Sequence, residues 1–599
     1  MTNPATVSQV NNRSNRIYDA LSVGGVLLIG VAIPLLVARH HGALNIPRSD
    51  DWSYLRTLFR WSEDGRWDFN GWVSMTLFGQ VVATRPIVEI FGSSIAAVRI
   101  FTALLGGLGL CAMIATARNL GIGLRRSALI ATCVAATPLW GSLANTYMTD
   151  VPAFAAQAFT MYFAVRAVRR DETLMPLLCV SVAFGVWAIS IRQYAGVTLI
   201  AILIISTVSA HRSNDARNIR GVWTLNVLAM AVTGAILAFA GSIPHPQTLS
   251  PTIPNASSLQ GAFESAGGFA RIAGLSMIPV IISCGPRRVL RRAQATNPQL
   301  TKVILIVSSG LLGLSYFFKP RIPFVGNYFA RQGVLADDIV RGTRPNVIPW
   351  WLFDACAIIG TVGAVALFVA MVPMLHERGP QFRQRKIEAF DPCGAMLGLS
   401  MVGFLGAYEL AIMVNFPMFD RYMLPALPLV GILYARAATK GHGEAGSQPQ
   451  PTPASAGRRV GVAVSAAMLI ALGFVYTDES ASYDGTRWAT AVKATQVGFA
   501  ISDIDAGYEW VGFRLDRSPP FRLIGKPESF RKATKNAYLK GLCITVVVSN
   551  RERPASTVAE TVSRGILRKP VTVYAKRLPD TECSSAAGPL GNDVKVQRP

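Results

Sequence analysis

Charge is scarce in this chain. Asp, Glu, Lys and Arg make up 15% of its 599 residues, where a soluble enzyme carries about 25%. With 51% hydrophobic residues and a mean hydropathy of +0.36, that scarcity excludes an ordinary soluble domain. Acid is the scarcer sign, with 34 Asp and Glu against 58 Lys and Arg and a formal charge of +24. The basic residues punctuate the hydrophobic runs and form no soluble basic module, so nucleic-acid binding is excluded. The six histidines are scattered and the eight cysteines show no metal-type spacing, so no metal site is read from the sequence. Only Cys543 and Cys583 lie in a polar tail, where they can pair as a disulfide.

Long apolar runs are abundant. ALSVGGVLLIGVAIPLLVA (20–38), LIVSSGLLGLSYFF (305–318) and VAVSAAMLIALGFVY (462–476) are examples, and runs of about 17–25 residues can cross a bilayer core of about 30 Å. The first run is read as a retained helix, because it is long, lacks a clean small-residue cleavage site and is followed by further runs. The reading is a polytopic α-helical membrane protein of about 13 spans. Their approximate limits are 20–38, 93–117, 127–144, 151–168, 174–191, 195–210, 222–241, 268–285, 302–318, 350–373, 393–415, 421–439 and 460–476.

Basic clusters fall on alternate loops: Arg118 with Arg125 and Arg126, Arg166 with Arg169 and Arg170, RSNDARNIR (212–220), PRRVLRR (286–292), and HERGPQFRQRK (376–386). The stretch 319–349, with five basic and two acidic residues, breaks the alternation. Positive-inside counting places the N-terminal tail (1–19) in the cytoplasm and the tail 477–599 outside it. The segment 440–459, rich in Gly, Pro, Ser and Ala, reads as a flexible cytoplasmic linker before the last span at 460–476. In the external tail, LCITVVVSN (542–550) and PVTVYAKR (570–577) are strand-like, predicting a small extracytoplasmic α/β module with a disordered end. The first external loop, 39–92, spaces aromatics and aliphatics at near-helical intervals over 69–91. One or two interfacial helices are expected there, with Trp61, Trp67 and Trp72 at headgroup depth.

That topology gathers polar residues on the outer face. PRSDDWSY (47–54) places Asp50 and Asp51 after the first span, NTYMTDVP (145–152) delivers Asp150, and FPMFDRYMLPALP (416–428) delivers Asp420, Arg421 and Tyr422. Arg192 and Gln193 occupy the tip after the fifth span. The plain alternative is that each residue caps a helix end, where charges snorkel to the interface, or that the doublet holds a cation. Together they suit a pocket for an anionic lipid headgroup: arginine clamps phosphate, and a carboxylate accepts a hydroxyl proton.

The acidic doublet, YMTDVP and RYMLPALP, in that order and on one side, resemble the membrane glycosyltransferases of the GT-C superfamily. The nearest likenesses are the dolichyl-phosphate-mannose protein mannosyltransferases (glycosyltransferase family 39) and the bacterial aminoarabinose and undecaprenyl-phosphate-sugar transferases. The resemblance covers roughly residues 20–440, and implies a GT-C transmembrane catalytic domain over 20–439. It implies transfer of a sugar from a polyprenyl-phosphate donor to a hydroxyl of a glycan, lipid or protein outside the cytoplasm. It maps the catalytic base or acceptor-orienting group onto Asp50 or Asp51, the second-loop acid onto Asp150, and the phosphate-binding pair onto Arg421 and Tyr422. Many relatives carry Asp-Glu where this chain has Asp-Asp, so the choice between the two stays open.

Such a donor has a good leaving group and needs positive charge at the departing phosphate more than a strong acid. Arg192, Lys319 and Arg321 are further candidates for that charge. No cofactor is required, and a divalent cation is optional. The high Ala, Gly and Arg content points to a bacterial inner-membrane protein, and the sequence names neither sugar nor acceptor. A transporter or flippase for a lipid-linked or charged solute is the alternative, which mid-helix charges and matched broken helices would favour.

Overall fold

The computed structural model describes residues 18–67, 69, 73, 75–168, 173–213, 215–242, 253–318, 329–334, 344–373, 375–376, 391–414, 416, 418–439, 455–514, 542–549, 553–566 and 569–578. It is a helical membrane protein with a small sheet at its C-terminal end. Ten helices among the described residues are long and apolar enough to cross a bilayer.

The chain opens with α1 (Tyr18–His40), then two shorter helices, α2 (Asp51–Asp64) and α3 (Phe78–Phe91), before α4 (Ile95–Asn119). Within α1 a π-turn over Leu28–Ala32 loosens the helical ladder. The Gly30 carbonyl accepts the Trp140 indole N–H at 2.7 Å, a side-chain partner of the kind such a bulge invites. Next come α5 (Leu124–Ala135), α6 (Pro138–Leu143), α7 (Asp150–Ala167), α8 (Met175–Ile191) and α9 (Gly196–Ser213). The expected span 127–144 is therefore two helices. Thr137 caps the second through its hydroxyl and Pro138 starts it, a pairing that ends one helix and begins another. The stretches expected at 151–168 and 174–191 are helical, but neither is among the ten.

The remaining long helices are α10 (Ala216–Ser242), α11 (Ala256–Cys284), the short basic α12 (Pro286–Thr296), α13 (Pro298–Phe318), α14 (Trp350–Ala370), α15 (Pro392–Met413) and α16 (Ala426–Thr439). Between α13 and α14 the short strands β1 (Phe329–Ala330) and β2 (Gly333–Val334) pair antiparallel. α11 and α14 cross where Gly274 faces Gly360 and Gly363, and a Cβ on Gly274 would stand 2.1 Å from the Gly360 carbonyl oxygen. Small residues let backbones approach this closely in lipid.

α17 (Ala456–Gln496) is a single helix of 41 residues. The apolar segment expected to stop at 476 thus continues, without a break, into the C-terminal module. There β3 (Ile504–Asp505), α18 (Tyr508–Arg514), β4 (Ile544–Ser549), β5 (Thr557–Ser563) and β6 (Val571–Arg577) follow. The sheet order is β3-β4-β6-β5, with β3 parallel to β4 and the other pairs antiparallel. Its core joins Trp488 of α17 to Trp510, Val546, Val548 and Val573. Cys543 is disulfide-bonded, while Cys583 lies outside the described residues. Most of the expected linker, 440–454, also lies outside them.

In the segment between α1 and α4 the Trp61 and Trp67 rings stack at 4.4 Å, and the Arg85 guanidinium lies 4.5 Å from the Trp61 ring. Trp72 lies outside the described residues. Pro86 is accommodated inside α3 and does not end it.

Candidate active site

The doublet is split by its own geometry. Ser49 takes a left-handed φ of 55°, uncommon for a residue with a Cβ. The chain then turns straight into α2, with Asp50 at the N-cap and Asp51 as first helical residue. Adjacent residues leave such a turn in different directions. Asp51 is completely buried. Its Oδ1 accepts the Arg48 backbone N–H at 2.6 Å. Its Oδ2 accepts Arg99 Nη2 at 2.5 Å and the Tyr147 N–H at 3.0 Å. Arg99, on α4, is itself fully buried and also donates to the carbonyls of Ala43 and Leu44. Asp51 thus ties the segment between α1 and α2, α4 and the segment before α7 into one clasp.

Asp50 is the accessible member of the pair. Its side chain makes no cap hydrogen bond; it accepts Arg421 Nη2 at 2.9 Å and keeps a quarter of its surface exposed. Arg421 lies in a short 3-10 turn, Asp420–Met423, at the head of α16. Its neighbour Asp420 is fully buried and accepts the Phe329 N–H at 3.1 Å, which helps anchor that turn.

Asp150 begins α7, where a carboxylate suits the positive end of the helix. It is fully buried, and Arg192 Nη2 reaches its Oδ2 at 3.2 Å. Arg192 also donates from Nε to Thr149 Oγ1 at 2.5 Å. Burial weakens the Arg192 cation, but Asp150, with Tyr422 and Tyr194, outweighs it, so its pKa is raised above the ordinary guanidinium value. The Asp150 Oδ1 atom is buried without a hydrogen-bond partner, an arrangement that disfavours the free state and favours a polar ligand.

One aromatic joins the two ion pairs. The Tyr422 ring lies 4.5 Å from the Arg192 guanidinium carbon and 5.4 Å from that of Arg421. Tyr194 packs beside Tyr422 at 6.0 Å. Tyr54, on the second turn of α2, feels the charges of Asp50, Arg192 and Arg421. Burial, then Asp50, raises its pKa well above the ordinary phenol value, so it stays neutral and can serve only as a hydroxyl.

Of the residues singled out from the sequence, Asp50, Asp150, Arg192, Arg421 and Tyr422 meet in one cluster. Asp51 stands behind it. Lys319 and Arg321 lie outside the described residues. Sequence reasoning passed over Tyr54, Tyr194 and Arg99. The available signal for Arg99 was an arginine within an expected membrane span, which demands a buried partner.

Residues 83–239 match the sequence model of the dolichyl-phosphate-mannose-protein mannosyltransferase family, the family whose motifs the chain resembles. No curated protein matches the sequence. Among solved structures the chain is similar to ArnT from Cupriavidus metallidurans bound to undecaprenyl phosphate, at 15% identity and a TM-score of 0.41, covering 94% of this chain and 99% of that one. It is similar to the oligosaccharyltransferase AglB from Archaeoglobus fulgidus, in complex with an inhibitory peptide and a dolichol-phosphate, at 12% identity and a TM-score of 0.41. That alignment covers 88% of this chain and 69% of AglB. It is also similar to the mycobacterial arabinofuranosyltransferase AftD, at 14% identity and a TM-score of 0.24, over 65% of this chain and 27% of AftD.

Proposed function

We propose that this chain is a membrane glycosyltransferase of the GT-C type, moving a sugar from a polyprenyl-phosphate carrier to a hydroxyl acceptor on the extracytoplasmic face of a bacterial inner membrane. The observation that carries the reading is the meeting of two carboxylates and two arginines, drawn from four separate segments, at one end of the helical bundle. These charges sit at helix ends, as a headgroup site requires, and not at mid-helix as the transporter alternative would favour.

In this scheme the donor phosphate takes Arg421, with Arg192 adding positive charge nearby. Arg421 now bridges to Asp50, so phosphate binding exchanges its partner and frees that carboxylate. The acceptor oxygen attacks the anomeric carbon as the carbon–oxygen bond to phosphate breaks. Asp50 takes the acceptor proton, and the bonding pair leaves with the polyprenyl phosphate, held by the arginines. Attack opposite the leaving group gives inversion. Asp150 Oδ1 is available to accept a sugar hydroxyl. Three donors occupy Asp51, so the doublet does not offer two carboxylates to one cation; the scheme calls for no metal, and loss of transfer in excess EDTA would overturn that part of it.

The test is a comparison of lipid-linked sugars and envelope glycans between a deletion strain and its parent by mass spectrometry. The expected result is accumulation of one lipid-linked sugar with loss of one surface glycosylation. Identical profiles, together with no transfer by purified protein given polyprenyl-phosphate sugars, would remove the assignment.

A further inference from the structure

We infer that Arg48 is a positioning residue through which the C-terminal module sets the placement of Asp50. Arg48 is buried, and every nitrogen of its guanidinium is engaged. Nε donates to Asp484 at 2.8 Å, Nη2 to Ser480 Oγ at 2.7 Å, and Nη1 to Asn145 Oδ1. Its backbone N–H goes to Asp51. One side chain therefore joins α17, the segment leading to Asp150, and the turn that presents Asp50.

The turn needs such a hold. Ser49, between Arg48 and Asp50, sits at positive φ, a conformation of the kind that persists only when its surroundings over-determine it. The hold extends into the module. Arg487, one turn along α17 from Asp484 and two from Ser480, donates to Asp484 at 3.3 Å and to Glu509 of α18. α18 then lies directly on α2. A Cβ on Gly512 would stand 2.5 Å from the Trp52 ring, and Arg56 Nη1 reaches the Gly512 carbonyl at 3.4 Å. Trp52 is fully buried and sits two residues after Asp50, so it cannot yield without tilting the start of α2. The module thus grips the Asp50 turn from both sides: through Arg48 before it and through Trp52 after it. Neither residue reaches the reacting atoms.

The experiment uses full-length protein in detergent, with Arg48→Lys, Gly512→Ala and, as an exposed control on β5, Val562→Ala. Lysine keeps the charge of Arg48 but has a single nitrogen for three partners. Hydrogen–deuterium exchange of peptides spanning 49–56 should rise about tenfold in the first two variants, with α4 unchanged. Because a small misplacement is felt mostly in the chemical step, kcat should fall by about tenfold or more while the donor KM stays within about twofold. The kinetic arm rests on the proposed transferase reading; the exchange arm does not. Wild-type exchange over 49–56 in both variants overturns the coupling. Altered exchange with unchanged kcat overturns the positioning role. If the wild type transfers nothing, the transferase reading fails while exchange still decides the coupling.

Discussion

Asp50 Oδ2 and Arg421 Nη2 lie 2.9 Å apart, although 371 positions separate the residues in sequence. The pair closes the bundle's polar end by joining the start of α2 to the head of α16. It also holds a partly exposed carboxylate at the spot where a lipid phosphate would compete for its partner. Function on this reading begins with breaking that pair.

The first prediction separates the doublet. Asparagine at position 50 removes the base while keeping size, so Asp50→Asn should lower transfer by about 10²–10⁴ with donor binding retained. Asp51→Asn should act on folding instead. It discharges one partner of a fully buried ion pair, a loss of roughly 3–5 kcal/mol. Yield and Tm should fall, while turnover per folded molecule stays near normal. The reverse pattern, measured by thermal melts beside a transfer assay, would move the base to Asp51.

Arg421→Lys keeps a cation but loses the planar fork that meets both Asp50 and phosphate. Transfer should fall about 30- to 1000-fold, equivalent to roughly 2–4 kcal/mol of transition-state stabilisation. Normal turnover of the lysine variant in liposomes would release Arg421 from the phosphate role.

Much of this organisation was legible in the sequence. Apolar runs announce membrane helices because length and composition alone must satisfy the bilayer, and the Thr137–Pro138 break carried a cap and a proline that the long run concealed. The clustered residues could be singled out because they lie at the ends of apolar runs, on loops that charge counting assigns to one side. The division of labour between Asp50 and Asp51 was not legible, because it depends on the Ser49 backbone turn and on donors 48 to 96 positions away at Arg99 and Tyr147. Arg48 gave still less sign of its role, since its partners Ser480 and Asp484 lie on a helix more than 400 residues later. Local pattern is silent on such pairings.

Topology gives a third test. Single cysteines placed at exposed positions of the C-terminal module, such as Val497 and Ile566, should react with an impermeant thiol reagent in intact cells. A cysteine at 445 should be shielded until the membrane is opened. Shielding at both places would put the module and the charged cluster on the cytoplasmic side, away from the proposed acceptors.

The last prediction concerns Asp150. Its Oδ2 is committed to Arg192, whereas its Oδ1 is buried with no partner. A buried acceptor left unmet costs about 1–3 kcal/mol, and a ligand that donates to it recovers that energy on binding. In the proposed scheme the donor is a sugar hydroxyl, so Asp150 contributes to sugar recognition and takes no part in proton transfer. Asp150→Asn keeps one oxygen for Arg192 or for the sugar, not both, and removes the charge that holds the Arg192 cation. The donor KM should rise by about tenfold, matching about 1.4 kcal/mol, while kcat falls less than in Asp50→Asn. A donor lacking one sugar hydroxyl should lose affinity against the wild type and lose no more against the variant, because the shared contact is already gone. Steady-state kinetics on the four enzyme–donor combinations would show this. If no deoxy donor shows non-additive losses with Asp150→Asn, the carboxylate serves Arg192 alone and the sugar is read elsewhere in the cluster.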